Sequence, residues 1–466
     1  MAASSSADIA ARLDRLPSAG PIWRMVLLLS LGGCFEFYDL FFTAYVAPGM
    51  ARGGFFKPES LGLFNLLVPL HVEGVGTFVF ATFAGLFVGA IAFGSVPDRF
   101  GRRAVFTFSL VWYSIATVFV AFQNTGFGIN IWRFIAGIGI GVELVTIDVY
   151  VSEMVPAHMR GRAFAFNQFI TFLAVPIVAL LAWLLVPTAP LGFDGWRWVV
   201  LIGCVGAIVV WFLRLGVPES PRWLAQHGRL EDADRVVSRI EADVSAVAGP
   251  LPAPVPLPAE MSGHGSFADI WKPPYGKRTL MMSVFQFFQT IGYYGFAAWV
   301  PTLLIAKGIN ITRSLQYSFI IAIANPFGPL LGSLVADRME RKWQIVSAAF
   351  LIGLFMYLFA IEEDTTLLIV FGVLVTLANN WLSFAFHNYQ AELYPTRIRG
   401  RAVGFVYAWS RLSAAFAALF IAFFLSTGGV PAVGAFIAGA MVIVMGIIGI
   451  FGPRTRGMAL EAIARD

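Results

Sequence analysis

The 466-residue chain is 58% hydrophobic and 13% charged, with a mean hydropathy of +0.77. Soluble domains carry about 25% charged residues, so this composition excludes an ordinary soluble enzyme, a disordered protein and a nucleic-acid binder. Lys+Arg is 32 against Asp+Glu 27, a net charge of +5, which in so apolar a chain reads as the basic bias of cytoplasmic loops.

The first stretch, Met1 to Gly20, is polar and Ser/Ala-rich. It lacks the short apolar core and cleavage site of a signal peptide. Twelve apolar stretches follow, each near the roughly 20 residues that a spanning helix needs. They cover 23–47, 75–96, 104–122, 131–154, 163–187, 197–216, 279–304, 315–336, 343–361, 366–390, 402–425 and 430–452. The alternating ten-residue segments of a β-barrel are absent. The expected fold is an all-α membrane protein of twelve transmembrane helices. Its units are a six-helix bundle over 1–216, a central loop over 217–278 and a second six-helix bundle with a short tail over 279–466.

Arginine and lysine concentrate in the loops after the second, fourth, eighth and tenth stretches. The opposite loops hold only Arg52, Lys57, Lys307 and Arg313. This asymmetry places both termini and the central loop in the cytoplasm. Within the central loop, Leu230, Ala233, Val237, Ile240 and Val244 recur at helical spacing. The Pro-rich run Gly249 to Pro258 reads as a stiff extended linker. The two cysteines, Cys34 and Cys204, sit inside apolar runs, which speaks against a disulfide framework or a metal site.

The chain repeats itself. Asp98-Arg99-Phe100-Gly101-Arg102-Arg103 matches Asp337-Arg338-Met339-Glu340-Arg341-Lys342. Tyr150, Glu153, Pro156, Arg160, Gly161 and Arg162 match Tyr389, Glu392, Pro395, Arg399, Gly400 and Arg401. Both motifs repeat at the same offset of 239 residues, the mark of a duplicated bundle. Two six-helix pseudo-repeats with a site between them suit alternating access. These residues resemble the major facilitator superfamily over nearly the whole chain. The segment Gly94 to Arg103 is similar to its loop motif between helices two and three, and Arg133-x-x-x-Gly137-x-Gly139-x-Gly141 to its fourth-helix motif. Pro218 to Leu224 resembles the signature after helix six in sugar and organic-ion porters. Glu340 departs from the pattern, since the family usually has Gly there. Asp98, Arg102, Glu153 and Arg162, with Asp337, Arg341, Glu392 and Arg401, form a candidate gate at the cytoplasmic rim. Static loop anchoring is the alternative.

Charges inside a membrane are expensive and mark function. The candidates are Glu36, Asp39, Arg133, Glu143, Asp148, His387 and Arg411. Asp39 lies roughly 24 Å up helix one, at a depth near that of Arg133 on helix four. The expectation is an ion pair that proton uptake by Asp39 would release. Proton-using sugar porters resemble this arrangement, and a permanent structural pair is the competing explanation. Glu36, one turn before Asp39, is a second proton candidate. Glu143 is expected to line the cavity and to share in coupling, and Asp148 to join the gate. His387 reads as a packing or gate residue near the cytoplasmic end.

Arg411 lies roughly 14 Å into helix eleven, close to the midplane. A guanidinium keeps its proton there and binds carboxylates through two bonds. It calls for an organic anion, or else for a salt bridge to Glu36. Gln286, Gln289, Tyr293, Tyr294, Asn380, Trp381, Tyr38 and Glu36 complete the expected substrate site, in which rings stack and amides bind heteroatoms. Asn379, Asn167, Gln168 and Thr171 are further cavity candidates.

No nucleotide-binding loop, zinc-type cluster or nucleophile elbow appears, so neither ATP-driven transport nor enzyme chemistry has support, and no cofactor is expected. The reading that results is a monomeric secondary transporter in the lipid bilayer, with a small organic anion and a proton as partners. The chain is similar to bacterial niacin transporters of the organic-ion branch, which implies nicotinate and a bacterial inner membrane. The stretch Gly33 to Leu40 also resembles symporters of dicarboxylates and shikimate-like acids. Sugar transport, drug export and nutrient sensing are the alternatives.

Overall fold

The computed structural model describes residues 5–64, 66, 74–93, 96–214, 216–255, 266–336, 339–394 and 396–455. Asp337 and the side chains of Asp98 and Asp148, assigned above to a gate, lie outside the described residues. Among those described, every regular element is helical.

The first span is Gly20–Arg52, the second Gly74–Phe93, the third Arg102–Ala121 and the fourth Gly126–Met154. The fifth is broken into Arg160–Phe172 and Ala174–Leu185, and the sixth is Gly195–Arg214. The seventh divides into Tyr275–Ala297 and Val300–Ala306, and the eighth into Ile311–Ala322 and Phe327–Ala336. The ninth is Arg341–Ile361 and the tenth Thr365–Glu392. The last two run as Thr396–Phe451, broken at Gly429, where φ is +66° and Pro431 follows. Each break lies near a proline (Pro176, Pro301, Pro326) that cannot donate the helical hydrogen bond. The sequence pattern, read for hydropathy alone, runs straight through these three breaks.

The glycines of the fourth span explain its packing. A Cβ at Gly89 would lie 2.1 Å from the Ile138 carbonyl oxygen, and one at Gly85 2.2 Å from that of Phe134. From the other side, a Cβ at Gly137 would come 2.5 Å from the Thr82 oxygen and one at Gly141 2.3 Å from the Leu86 oxygen. The second and fourth spans therefore pack backbone to backbone, as small residues allow in lipid. Gly89→Ala is expected to cost about 1–3 kcal/mol through overpacking. A thermal shift of the detergent-solubilised variant measures it; an unchanged midpoint would remove glycine contact as the reason for this motif.

The repeat is visible in the contacts. Arg102 donates to Glu153 at 3.1 Å, and Arg341, at the equivalent place, donates to Glu392 at 3.3 Å. Tyr150 donates to the Pro218 carbonyl and Tyr389 to that of Pro453, so each half pins the end of its last helix in the same way. The loop motif differs between halves. Gly101 has φ +99°, which favours glycine, whereas Glu340 has φ −54°. Glu219 caps the third span by accepting from the Arg102 and Arg103 backbone amides, and Glu340 instead accepts from the Thr455 amide.

Residues before the first span are structured. Ser5 and Asp8 form a capping box on a helix over Ser6–Asp14. This helix packs Ile9 and Leu13 with Val237 and Val244 of the central-loop helix Leu230–Ala248. Its polar face binds the same helix: Arg12 and Arg15 both donate to Glu241 at 2.7 Å, and Arg12 also pairs with Asp234. Asp14 accepts from Arg222 at 2.8 Å and from the Ala157 amide at 2.9 Å. Burial pushes the Glu241 carboxyl up, but the bonds from Arg12 and Arg15 outweigh it and hold the group below its ordinary 4.5. A depressed folded value contributes stability that is complete above 4.5 and fades as pH falls through the folded value. Glu241→Gln mimics that protonation at neutral pH. Trypsin is then expected to cleave faster at Arg12 and Arg15, and equal cleavage in both forms would contradict the clasp.

Candidate functional site

A cavity of about 100 Å³ lies between the halves. The first span supplies Gly33, Glu36 and Phe37, the fifth Asn167, Gln168 and Thr171. The facing wall carries Gln289, Thr290, Tyr293 and Tyr294 of the seventh span, Ser383, Phe386 and His387 of the tenth, and Tyr407, Ser410 and Arg411 of the eleventh. On the side away from the chain termini the halves meet through rings. Phe83 packs on Tyr294 at 4.5 Å and Trp183 stacks on Phe319 at 5.8 Å.

Arg411 is 5% exposed. It donates to the Tyr294 and Tyr407 hydroxyls, both at 3.3 Å, and its guanidinium lies 4.8 Å from the Tyr407 ring centre. No acid pairs with it among the described residues. Two long bonds to neutral phenols use little of a five-donor fork. Glu36, wholly buried on the facing wall, acts on Arg411 only through its field. His387 donates from Nδ1 to the Ser383 carbonyl at 2.7 Å and stacks on Phe386 at 4.1 Å, which leaves Nε2 as the ring's remaining polar atom.

A second polar cluster lies inside the first half. Arg133, with no exposed surface, donates from Nη1 to Asp39 at 2.7 Å, from Nε to Thr82 at 3.0 Å and from Nη2 to Thr43 at 2.8 Å. Its guanidinium lies 4.4 Å from the Phe42 ring centre. Thr117 donates to the other oxygen of Asp39 at 2.8 Å. None of these groups lines the central cavity. The structure thus brings Asp39 and Arg133 together, as expected from depth, in a compartment of their own.

The sugar (and other) transporter family model matches residues 25–466. The chain belongs to that family. It is a transporter and an integral membrane protein of the major facilitator fold. A Bacillus subtilis protein named for metabolite transport, YyaJ, is 31% identical over 450 residues, 96% of each chain. The niacin transporter NiaP of Acinetobacter baylyi is 27% identical, over 98% of this chain and 99% of that one. The xylose transporter XylE of E. coli, solved in a partially occluded inward-open conformation, superposes with a TM-score of 0.74 at 20% identity, covering 95% of this chain and 100% of that one.

The transporter's cavity departs from the expected residue set in several places. Tyr38 donates to the Val199 carbonyl at 2.7 Å and packs on Gly203, so it joins the first span to the sixth and faces away from substrate. Glu143 is fully buried and accepts from Ser109 at 3.3 Å, outside the cavity wall. Gln286 donates to Gln390 and accepts from Gln289, both at 2.9 Å, which makes Gln289 the member of the pair in the wall. Asn380 donates to Asn325 at 3.2 Å and lines, with Asn379 and Tyr293, a separate space of about 20 Å³. Trp381 lines neither space. At the rim, Arg102–Glu153 and Arg341–Glu392 each form within one half, so the proposed lock between halves is not made by these pairs here. Arg162 lies 5.7 Å over the Trp23 ring, and Arg401 is exposed. His387, read as a packing or gate residue, is in the cavity wall, as are Tyr407 and Ser410. Their signal was the spacing: Tyr407, Ser410 and Arg411 stand at i, i+3 and i+4 on the eleventh span, and Ser383 and His387 one turn apart on the tenth.

Proposed function

We propose that this transporter imports a small organic anion, an aromatic monocarboxylate such as nicotinate, together with protons, by alternating access across a bacterial inner membrane. The observation that carries the reading is Arg411, a permanent cation in the cavity wall with unused donors and aromatic neighbours. A carboxylate takes two parallel bonds from such a fork, and Tyr293, Tyr294, Tyr407 and Phe37 offer faces to a flat ring. NiaP, similar over nearly its whole length, is named for niacin. The proton path runs through Asp39, whose protonation would release Arg133. The basic loops assign the termini to the cytoplasm. In this reading, 1–216 and 279–466 move as units, each monomer acts alone, and no cofactor takes part.

Sugar transport is the second reading. Gln289 in the wall and the family's name favour it. A buried arginine that no hydroxyl needs weighs against it.

The test is uptake of labelled nicotinate into liposomes holding the purified protein, with and without an inward proton gradient. Saturable uptake that the gradient raises at least several-fold is the expected result. Saturable uptake indifferent to the gradient would keep the anion and remove the coupling. Absence of uptake would remove nicotinate.

A further inference from the structure

We propose that the cavity is dipolar and selects carboxylates that carry an N–H or O–H donor at the end remote from the carboxylate. The inference rests on the anion reading of Arg411 and extends it to the opposite wall.

That wall offers buried oxygens that can accept. Glu36, Asn167 and Thr171 line it at 0%, 2% and 4% exposure. Asn167 Oδ1 and Thr171 Oγ1 have no hydrogen-bond partner. Their placement is tight. A Cβ at Gly33 would come 2.7 Å from Thr171 Oγ1, so the bare glycine lets the fifth span press Thr171 against the first, one turn before Glu36. One turn on, the Phe37 and Phe172 rings meet edge to face at 5.3 Å and hold that register. An ionised carboxylate accepts and cannot donate, and a guanidinium donates and cannot accept. The acceptor wall comes from the first half and the donor wall from the second. A ligand with an acceptor at one end and a donor at the other engages Arg411 and these oxygens together, and in doing so it ties the halves together.

A buried oxygen without a donor costs about 1–3 kcal/mol. A ligand that supplies the donor recovers part of this, and one without it leaves the cost standing. Hydroxybenzoates carry such a donor, as does a pyridine carboxylate protonated on its ring nitrogen. Benzoate does not.

The experiment is calorimetric binding of benzoate and the three hydroxybenzoate isomers to the purified full chain, in wild type, Glu36→Gln, Asn167→Ala and Arg411→Gln. Wild type is expected to bind its best hydroxybenzoate about tenfold more tightly than benzoate, as one hydrogen bond provides. Glu36→Gln and Asn167→Ala should each shrink that ratio, and Arg411→Gln should weaken every carboxylate. A ratio near one in wild type, with benzoate binding still dependent on Arg411, overturns the dipolar cavity and leaves the anion reading standing. A ratio kept in both wall variants overturns it as well. No carboxylate binding by wild type overturns both. Thermal midpoints of the variants report folding, and Asn167→Ala, which changes no charge, serves if Glu36→Gln does not fold.

Discussion

Arg411→Gln is expected to weaken carboxylate binding by about 100-fold. A charge-assisted hydrogen bond is worth about 1.5–3 kcal/mol, and a carboxylate on the guanidinium fork would lose two. Glutamine keeps one donor and part of the packing on Tyr407, so a loss of roughly 3 kcal/mol is the net expectation, and every 1.4 kcal/mol is tenfold. Arg411→Lys separates charge from geometry. Lysine restores the charge without the planar fork, and should recover part of the affinity and little of the preference for carboxylates over uncharged analogues. Binding measured on purified protein decides the matter, since it is independent of coupling. Equal affinity in Arg411→Gln and wild type would show that the carboxylate does not sit on Arg411.

Arg133→Leu should destabilise the protein by about 3–5 kcal/mol, because it strands the Asp39 carboxylate in a site that is 6% exposed. The pair is worth less than this figure suggests. Replacing both members with apolar residues, Asp39→Leu with Arg133→Leu, should return most of the thermal stability. The expected split is therefore between fold and work: the double variant folds and binds substrate but no longer accumulates it against a proton gradient. Asp39→Asn makes the same point with less disturbance, since the amide oxygen still accepts from Arg133 and its NH2 donates to the Thr117 hydroxyl in place of the bond received there, while the group no longer titrates. Thermal midpoints and counterflow report the fold, and gradient-driven uptake reports the coupling. If Asp39→Asn accumulated substrate as wild type does, the pair would be structural only.

These two buried arginines differ in their surroundings. Arg133 is saturated by Asp39, Thr43 and Thr82 within one half. Arg411, in the space between halves, meets tyrosine hydroxyls and no acid among the described residues. Both are buried arginines on membrane helices, and hydropathy treats them alike. The difference is in the neighbours: one is paired with a carboxylate and the other faces the central cavity.

The sequence by itself determined the number of spans, the 239-residue repeat and the depth of each buried charge. Those follow from bilayer thickness, from the rise of a helix per residue and from the cost of charge in hydrocarbon. Depth alone was enough to pair Asp39 with Arg133. It was not enough for Tyr38, Glu143 or Gln286, since depth says nothing of the direction in which a helix face points. Tyr38 turned to the sixth span, Glu143 to the third and Gln286 to the tenth, whereas Tyr407 and His387 turned inward. In a helix buried on most sides, the apolar pattern that reveals rotation in a water-soluble protein is missing, because lipid and protein core are both apolar. Rotation was decided instead by close contacts such as Gly33 on Thr171 and Gly89 on Ile138, and by kinks at prolines. Those contacts exist only once the helices are assembled.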